Sequence, residues 1–181
     1  MPIDTRLTYD DYCLYPEDGK RREIVNGEMF AATSPGTIHQ RVVIRVTCDL
    51  FEFVEKEGLG EVIIGPLDVV LSEFDVVVPD AVYVSKQRAA VLTEKNIQGA
   101  PDLIIEVISA ATAIRDRTIK LKLYGKFGVQ EYWIIDPNGP SAEIYRHREG
   151  GLELVAKLSA AEALSSPMLP GFSVPLLKLT E

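Results

Sequence analysis

A short, almost entirely apolar segment at residues 103–108 limits the folds that are open to this chain. It is too short for a typical helix, and four of its six residues are β-branched, which favours a strand that is buried on both faces. Glu106 interrupts this apolar segment. A second apolar run, residues 76–84, is interrupted in the same way by Asp80, which follows Pro79. The sequence therefore predicts two central strands that each carry an acid.

The rest of the pattern predicts an α/β fold, with a mixed central sheet flanked by helices around a single core. Two amphipathic helices are predicted, at residues 38–57 and 112–127, each ended by a glycine. Asn26-Gly27 predicts a hairpin turn, because both residues tolerate positive φ. The other predicted elements are strands at 61–71 (interrupted by Gly65-Pro66), 76–84, 103–108 and 131–136, and an edge hairpin at 142–158.

The length of 181 residues indicates one domain, or at most two small ones, and the single core predicted above favours one. We expect residues 1–22 to form a peripheral segment and residues 23–158 to form the domain. Residues 159–181 contain three prolines and predict an extended tail that packs on the domain.

Charge and composition exclude several classes of protein. The net charge of −8 argues against nucleic-acid binding over a whole face, although a local basic site on an acidic body is still allowed. Two cysteines, Cys13 and Cys48, are too few for a disulfide framework or a cysteine metal cluster. No apolar run reaches the roughly 18 residues that a membrane span needs, and the acidic N-terminus does not resemble a secretion signal. These features predict a cytoplasmic protein that is not in the membrane.

The two acids inside the predicted strands are the strongest candidates for a site. A buried carboxylate is costly unless it is paired, hydrogen-bonded or bound to a metal. Taken singly, Asp80 or Glu106 is as well explained by a structural ion pair as by a functional role. Two such acids on neighbouring strands favour function, and oxygen ligands of this kind suit Mg²⁺ or Mn²⁺.

The second predicted helix supplies basic residues. At 100° per residue, Arg115, Lys122 and Lys126 fall on one face, which is most simply a solvated stripe. Lys120 falls on the side expected to face the sheet. Its side chain either lies along apolar surface with the ammonium in water, or brings the ammonium to Asp80 and Glu106.

Two further residues are candidates with an ordinary alternative. His39 lies on the apolar stripe of the first helix, so it is either a satisfied core residue or a site residue at the open end of that helix. Glu28 follows the Asn26-Gly27 turn, so it is either an exposed turn acid or part of the site.

The order and spacing of several short motifs resemble the small stand-alone Uma-type restriction endonucleases, within the PD-(D/E)XK nuclease superfamily. The similarity extends from about residue 20 to residue 175. The motifs that carry it are Glu23-Ile24-Val25-Asn26-Gly27-Glu28, Ser34-Pro35, His39-Gln40, Val78-Pro79-Asp80, Gly99-Ala100-Pro101-Asp102 continuing through Glu106 to Ser109, Arg115-Asp116, Lys120, Tyr124, the run from Gly128 to Pro137, and Leu169-Pro170-Gly171-Phe172.

This resemblance implies a restriction-endonuclease-like fold and a metal-dependent endonuclease that acts on DNA, with a homodimer expected. Asp80 and Glu106 match the two acids with which the superfamily holds Mg²⁺ or Mn²⁺. The superfamily's lysine would fall at position 108, where this chain has Ile108, and Lys120 from the following helix is the candidate replacement. His39 and Glu28 match recurring family positions and would complete the site. Arg115, Lys122 and Lys126 are the candidate DNA-binding residues.

Two other interpretations remain open. Ile108 and the net charge of −8 favour a nuclease-like fold that serves as a binding or assembly module without turnover. A purely structural domain, in which Asp80 pairs with Lys120, is the third.

Overall fold

The structure is a computed structural model that describes residues 5–16, 18–32 and 34–181. The α-helices are α1 (Tyr9–Cys13), α2 (Thr37–Glu57), α3, which joins Ala113–Arg115, a π-helical turn Asp116–Lys120 and Leu121–Lys126, and α4 (Leu176–Thr180). A 3₁₀ helix covers Lys86–Val91. The strands are β1 (Arg21–Val25), β2 (Glu28–Ala32), β3 (Gly60–Ile64), β4 (Val69–Ser72), β5 (Asp75–Val77), β6 (Ala81–Ser85), β7 (Ile97–Gln98), β8 (Leu103–Val107), β9 (Glu131–Asp136), β10 (Ser141–Arg148), β11 (Gly151–Ser159), β12 (Ala163–Ser166) and β13 (Leu169–Pro175).

A mixed six-stranded sheet lies at the centre, with strand order β11-β10-β9-β8-β6-β3. Strands β8 and β9 are parallel, while β6 runs antiparallel to β8. Ala81 of β6 pairs with Ile105 of β8, which brings position 80, just before β6, next to position 106 of β8. The predicted strands at residues 103–108 and 131–136 and the edge hairpin of β10 and β11 are confirmed.

The predicted strand at residues 76–84 is in fact two strands that belong to different sheets. Strand β5 lies in a second sheet of order β2-β1-β5-β4-β7, whereas β6 lies in the central sheet. The chain passes between the sheets at Val78-Pro79-Asp80, where proline has no N–H to donate to a ladder. Residues 61–71 divide in the same way, into β3 and β4 around Gly65-Pro66. The break leaves Asp80 at the junction of the two sheets.

The apolar core has a layer on each face of the central sheet. Helix α2 covers one face, where the inward side chains of β8 are Leu103, Ile105 and Val107. On the other face, Ile104 and Ile108 pack with residues of α3 and of the second sheet. Because side chains alternate along a strand, Glu106 lies on this second face with Ile104 and Ile108.

The C-terminal residues do not form the extended tail that their prolines predicted. Strands β12 and β13 pair antiparallel, and α4 follows them. This segment covers α2 and buries six apolar side chains: Leu164, Leu169, Phe172, Val174, Leu176 and Leu179. The prolines at 170 and 175 lie within β13, a strand of a two-stranded sheet where an unpaired N–H position is available. Among the described residues, no helix has the length and apolar character to cross a membrane.

Candidate active site

A small cavity of about 90 Å³ lies where β1, the Pro79–Asp80 junction, β8, the start of α2 and the start of α3 meet. Its lining is dense in ionisable groups. Four carboxylates and four basic side chains line it: Glu23, Asp80, Glu106 and Asp116, with Arg21, His39, Arg115 and Lys120. The structure thus brings together Asp80, Glu106, Lys120 and His39, four of the residues that the sequence singled out.

Asp80 is almost fully buried and accepts bonds on both carboxylate oxygens. Its Oδ1 lies 2.9 Å from Nη1 of Arg21, and its Oδ2 accepts the backbone N–H of Val107 at 2.9 Å. The Nε2 atom of His39 lies 3.2 Å from the same Oδ2. Arg21 also donates to the Val78 carbonyl, which fixes its guanidinium beside the junction. Burial raises the pKa of Asp80, but the His39 contact and the Arg21 charge outweigh it, so that the pKa lies below its ordinary value.

Glu106 is buried among groups of both signs. Its Oε1 accepts hydrogen bonds from Nζ of Lys120 at 2.7 Å and from the hydroxyl of Tyr124 at 2.9 Å. Burial raises the pKa of Glu106 to about 8, because the nearby ammonium offsets only part of the desolvation and the neighbouring carboxylates add to it. A carboxyl group with this pKa holds a proton at neutral pH unless a further cation binds beside it.

The side chain of Lys120 is buried in the cavity lining and does not extend its ammonium into water. Its Nζ contacts Glu106 at 2.7 Å, Glu23 at 2.8 Å and Asp116 at 3.6 Å. Burial lowers the pKa of the ammonium, but these carboxylates outweigh it and raise the pKa above its ordinary value. Lysine 120 therefore carries its charge. The structural pair proposed between Asp80 and Lys120 is not the pairing seen, since Asp80 pairs with Arg21 and His39.

A π-helical turn at Asp116–Lys120 changes the faces of α3. The prediction that Arg115 shares a face with Lys122 and Lys126 assumed 100° per residue throughout, and the structure contradicts it. The i→i+5 bonds of a π turn rotate the residues before the turn relative to those after it. Arg115 consequently lines the cavity, with Nη2 3.3 Å from Oε2 of Glu23. Lys122 and Lys126 are exposed and line a separate surface depression.

The first hairpin contributes Glu23 to the cavity. This residue was not predicted from the sequence, which indicated Glu28 instead. Oε1 of Glu23 accepts the backbone N–H of Val78 at 3.0 Å and contacts Lys120. The pKa of Glu23 is raised by burial but lowered further by Lys120, and so lies below its ordinary value. The predicted Glu28 is exposed at the start of β2 and does not line the cavity. One signal was available, since two-residue alternation places Glu23 on the same face as buried Val25.

Arg21 and Asp116 were also missed. Arg21 stands two residues before Glu23 in β1, and so on the same face of that strand. Asp116 precedes Lys120 by four residues, a spacing that predicts a helical ion pair, and the two charged atoms are 3.6 Å apart. Nothing in the sequence showed which surface Arg21 would reach, because its partner Asp80 is distant along the chain.

The donor set fits a hard divalent cation. Among the described residues, no group of three or more His, Cys, Asp or Glu side chains is arranged to hold a metal ion. Mg²⁺, however, commonly takes one or two carboxylates and completes its shell with water and substrate phosphate. Asp80 and Glu106 supply two carboxylates. One buried oxygen of Glu23 and one of Asp116 accept no hydrogen bond from the described residues, although each forms an ion pair, with Arg115 and Lys120 respectively. The cavity thus combines carboxylate oxygens with ion pairs in which some hydrogen-bonding capacity is unused.

Comparisons with known proteins agree with this architecture. A comparison with curated proteins finds no match. The crystal structure of a putative nuclease belonging to DUF820 from Anabaena variabilis ATCC 29413 is similar to this chain, with a TM-score of 0.79 at 20% identity. The alignment covers 99% of this chain and 98% of that one, which confirms the predicted mixed α/β fold. The model of the Uma2 family, described as "Putative restriction endonuclease", matches residues 8–179, and the chain therefore belongs to this family of putative restriction endonucleases.

Proposed function

We propose that this protein is a metal-dependent endonuclease that hydrolyses phosphodiester bonds of DNA in the cytoplasm. One observation carries the proposal. The position of the superfamily's lysine is taken by buried Ile108, yet the cavity contains a lysine, because α3 brings Nζ of Lys120 to 2.7 Å from Glu106. Asp80, Glu106 and the ammonium of Lys120 from the next helix are thus in one cavity.

Each side chain has a distinct role in this proposal. Asp80 and Glu106 would hold Mg²⁺ or Mn²⁺, which lowers the pKa of a bound water and polarises the scissile phosphate. His39 and Arg21 hold the Asp80 carboxylate in one orientation. Lys120 fixes Glu106 and offsets negative charge that develops on the phosphate.

The basic residues suggest how DNA is bound despite the net charge of −8. Arg115 lies in the cavity lining, where its guanidinium would bind the phosphate next to the scissile bond. Lys122 and Lys126 are exposed farther along the same helix and would contact the DNA backbone. Binding would be local and salt-sensitive, and a homodimer would double the number of such contacts.

The test is cleavage of plasmid and single-stranded DNA in the presence of Mg²⁺ or Mn²⁺. Asp80→Asn and Glu106→Gln keep the side-chain shapes but remove the metal-binding charges, so we expect cleavage to fall by at least about a hundredfold. Glu153→Gln, at an exposed position on β11, is the matched control and is expected to cleave as the wild type does. Equal residual cleavage by wild type and Asp80→Asn would show a contaminant and refute the proposal.

An inactive binding or assembly module is the second candidate, and the ion pairs within the cavity favour it. Arg21 already pairs with Asp80 and Lys120 with Glu106, the two acids that a metal would need. Calorimetric titration with Mn²⁺ separates the two candidates. The nuclease requires binding at micromolar to millimolar concentrations that Asp80→Asn weakens, whereas the inactive module predicts no heat of binding in either protein.

A further inference from the structure

The outer face of α2 carries large apolar side chains that are exposed to solvent. Val43, Val46 and Leu50 on its inner face are buried, while Ile44 and Phe51 on the opposite face are 54% and 51% exposed. Cys48 is exposed between them. At 100° per residue, Arg41, Ile44, Cys48, Phe51 and Glu55 form one stripe, which we call the α2 stripe. An apolar stripe with charged ends is typical of an interaction surface.

The charges at the ends of the α2 stripe run opposite to the order that the helix itself favours. Arg41 lies in the N-terminal half, and the first turn contains no acid. Glu55 lies near the C-terminus, where the helix dipole favours cations. The arrangement is therefore not explained by the electrostatics of the helix, but it is complementary to a second helix that runs in the opposite direction.

We propose that the α2 stripe binds the α2 stripe of a second copy of this chain, antiparallel, about a two-fold axis that passes beside Cys48. In an isologous pair of antiparallel helices, residues at equal distances on either side of the axis meet. Arg41 and Glu55 are each seven residues from Cys48, so each arginine meets the other copy's glutamate.

The apolar and flanking residues obey the same symmetry. The two-fold axis is perpendicular to the plane that contains both helices. A residue on one side of the α2 stripe therefore faces residues on the same side of the stripe of the second copy. Ile44 and Phe51 lie on one side, at nearly equal distances from Cys48, so that they pack against each other across the dimer. Arg45 and Glu52 lie on the other side at similar distances, where Arg45 also donates to the Leu179 carbonyl of its own chain at 3.1 Å. One register therefore satisfies the apolar contacts and the charges together, which a chance surface does not require.

Charge reversal tests this register in solution. We expect sedimentation equilibrium to give twice the chain mass of 20.0 kDa for the wild type. Arg41→Glu and Glu55→Arg each place like charges opposite each other twice in the dimer, so each should weaken dimerisation at least about tenfold. The double variant Arg41→Glu/Glu55→Arg should restore it. Failure of the double variant to recover, or a monomeric wild type at roughly 100 μM, would overturn the proposal.

Phe51→Asp, with Leu154→Asp as its matched control, tests the apolar contact. Both positions are exposed, so neither change should prevent folding, which circular dichroism checks. Only Phe51→Asp should yield monomers. Loss of the dimer in Leu154→Asp but not in Phe51→Asp would place the interface on β11 and refute the α2 pairing.

Cross-linking tests the position of the axis. At the usual interaxial distance of roughly 8–10 Å, facing Cα atoms of packed helices are close enough for a disulfide. Mild oxidation should therefore link Cys48 to Cys48 of the second copy. The cross-link should persist in Cys13→Ser and be lost in Cys48→Ser and in Arg41→Glu. A cross-link that depends on Cys13 instead would exclude this axis.

Discussion

The carboxylates of the cavity differ in acidity because their partners differ. Burial raises the pKa of Glu106 to about 8 and also raises that of Asp116, whose cation Lys120 is shared with two other acids. Asp80 and Glu23 are also deeply buried, yet their pKa values lie below the ordinary range, since each accepts a backbone N–H and lies beside an arginine. The single ammonium of Lys120 therefore does not offset the desolvation of all its carboxylate neighbours, and the pKa of Glu106 is raised as a result.

Glu106 should make the metal-free protein less stable as the pH rises. Its pKa is about 8 in the folded protein against an ordinary 4.5, so the folded state binds the extra proton and loses that advantage between these pH values. The loss is at most about 1.4 kcal/mol per pH unit. Urea unfolding in EDTA should show this decline in the wild type and a flatter profile in Glu106→Gln. Parallel profiles would contradict the assignment.

Below pH 4.5 the sign reverses, because different groups titrate there. The lowered pKa values of Asp80 and Glu23 contribute stability that is lost as the pH falls through them. Glu106→Gln should leave this acid limb unchanged, which serves as the internal control for the experiment.

At the scale of elements, the hairpin of β1 and β2 positions one wall of the cavity. Its turn is formed by Asn26 and Gly27, with φ of 52° and 79°. A Cβ on Gly27 would lie 2.4 Å from Cβ of Arg6, so that this glycine is required both by its φ and by the space around it. Strand β1 carries Arg21 and Glu23 and pairs with β5. A shift of the turn would therefore move both side chains relative to the rest of the cavity.

Gly27→Ala should therefore lower both stability and metal binding. We expect a loss of about 1–3 kcal/mol in the free energy of unfolding. Gly139→Ala is the matched control, because its Cβ would meet no atom within 4 Å. Thermal unfolding and Mn²⁺ titration of the two variants measure the effects. An unchanged Gly27→Ala protein would show that the turn does not determine the position of β1.

At the scale of the whole molecule, the C-terminal segment completes the core on the α2 side of the central sheet. Phe172 of β13 stacks on Trp133 of β9 with ring centroids 6.2 Å apart, and its edge meets Phe53 of α2 at 5.5 Å. The segment therefore joins α2 to the central sheet. Since α2 also carries His39, packing at the end of the chain supports a residue of the cavity.

Phe172→Ala should cost about 3–5 kcal/mol, the range for a buried aromatic side chain that leaves a cavity. Leu177→Ala, in the same segment but 48% exposed, should change stability by less than about 0.5 kcal/mol. Urea unfolding measures both. Equal, small effects would show that residues 159–181 pack on a domain that is already complete.

Elements with a local signal are encoded by the residues within them. The periodicity of α2, the Asn26-Gly27 turn and the apolar strand around Glu106 depend on neighbours within a few residues, and so could be predicted without a fold. The same holds for the exceptional position of Asp80 and Glu106, because an acid in an apolar run is visible in the sequence.

Which charged side chains meet depends on the folded chain. The choice of Glu23 over Glu28, the pairing of Arg21 with Asp80 and the turn of Arg115 into the cavity depend on contacts between residues far apart in the chain. The π turn in α3 is of this kind too, because the sequence pattern predicts a regular helix at residues 112–127. Long-range electrostatics and packing have no period in the sequence, and only the folded chain reveals them.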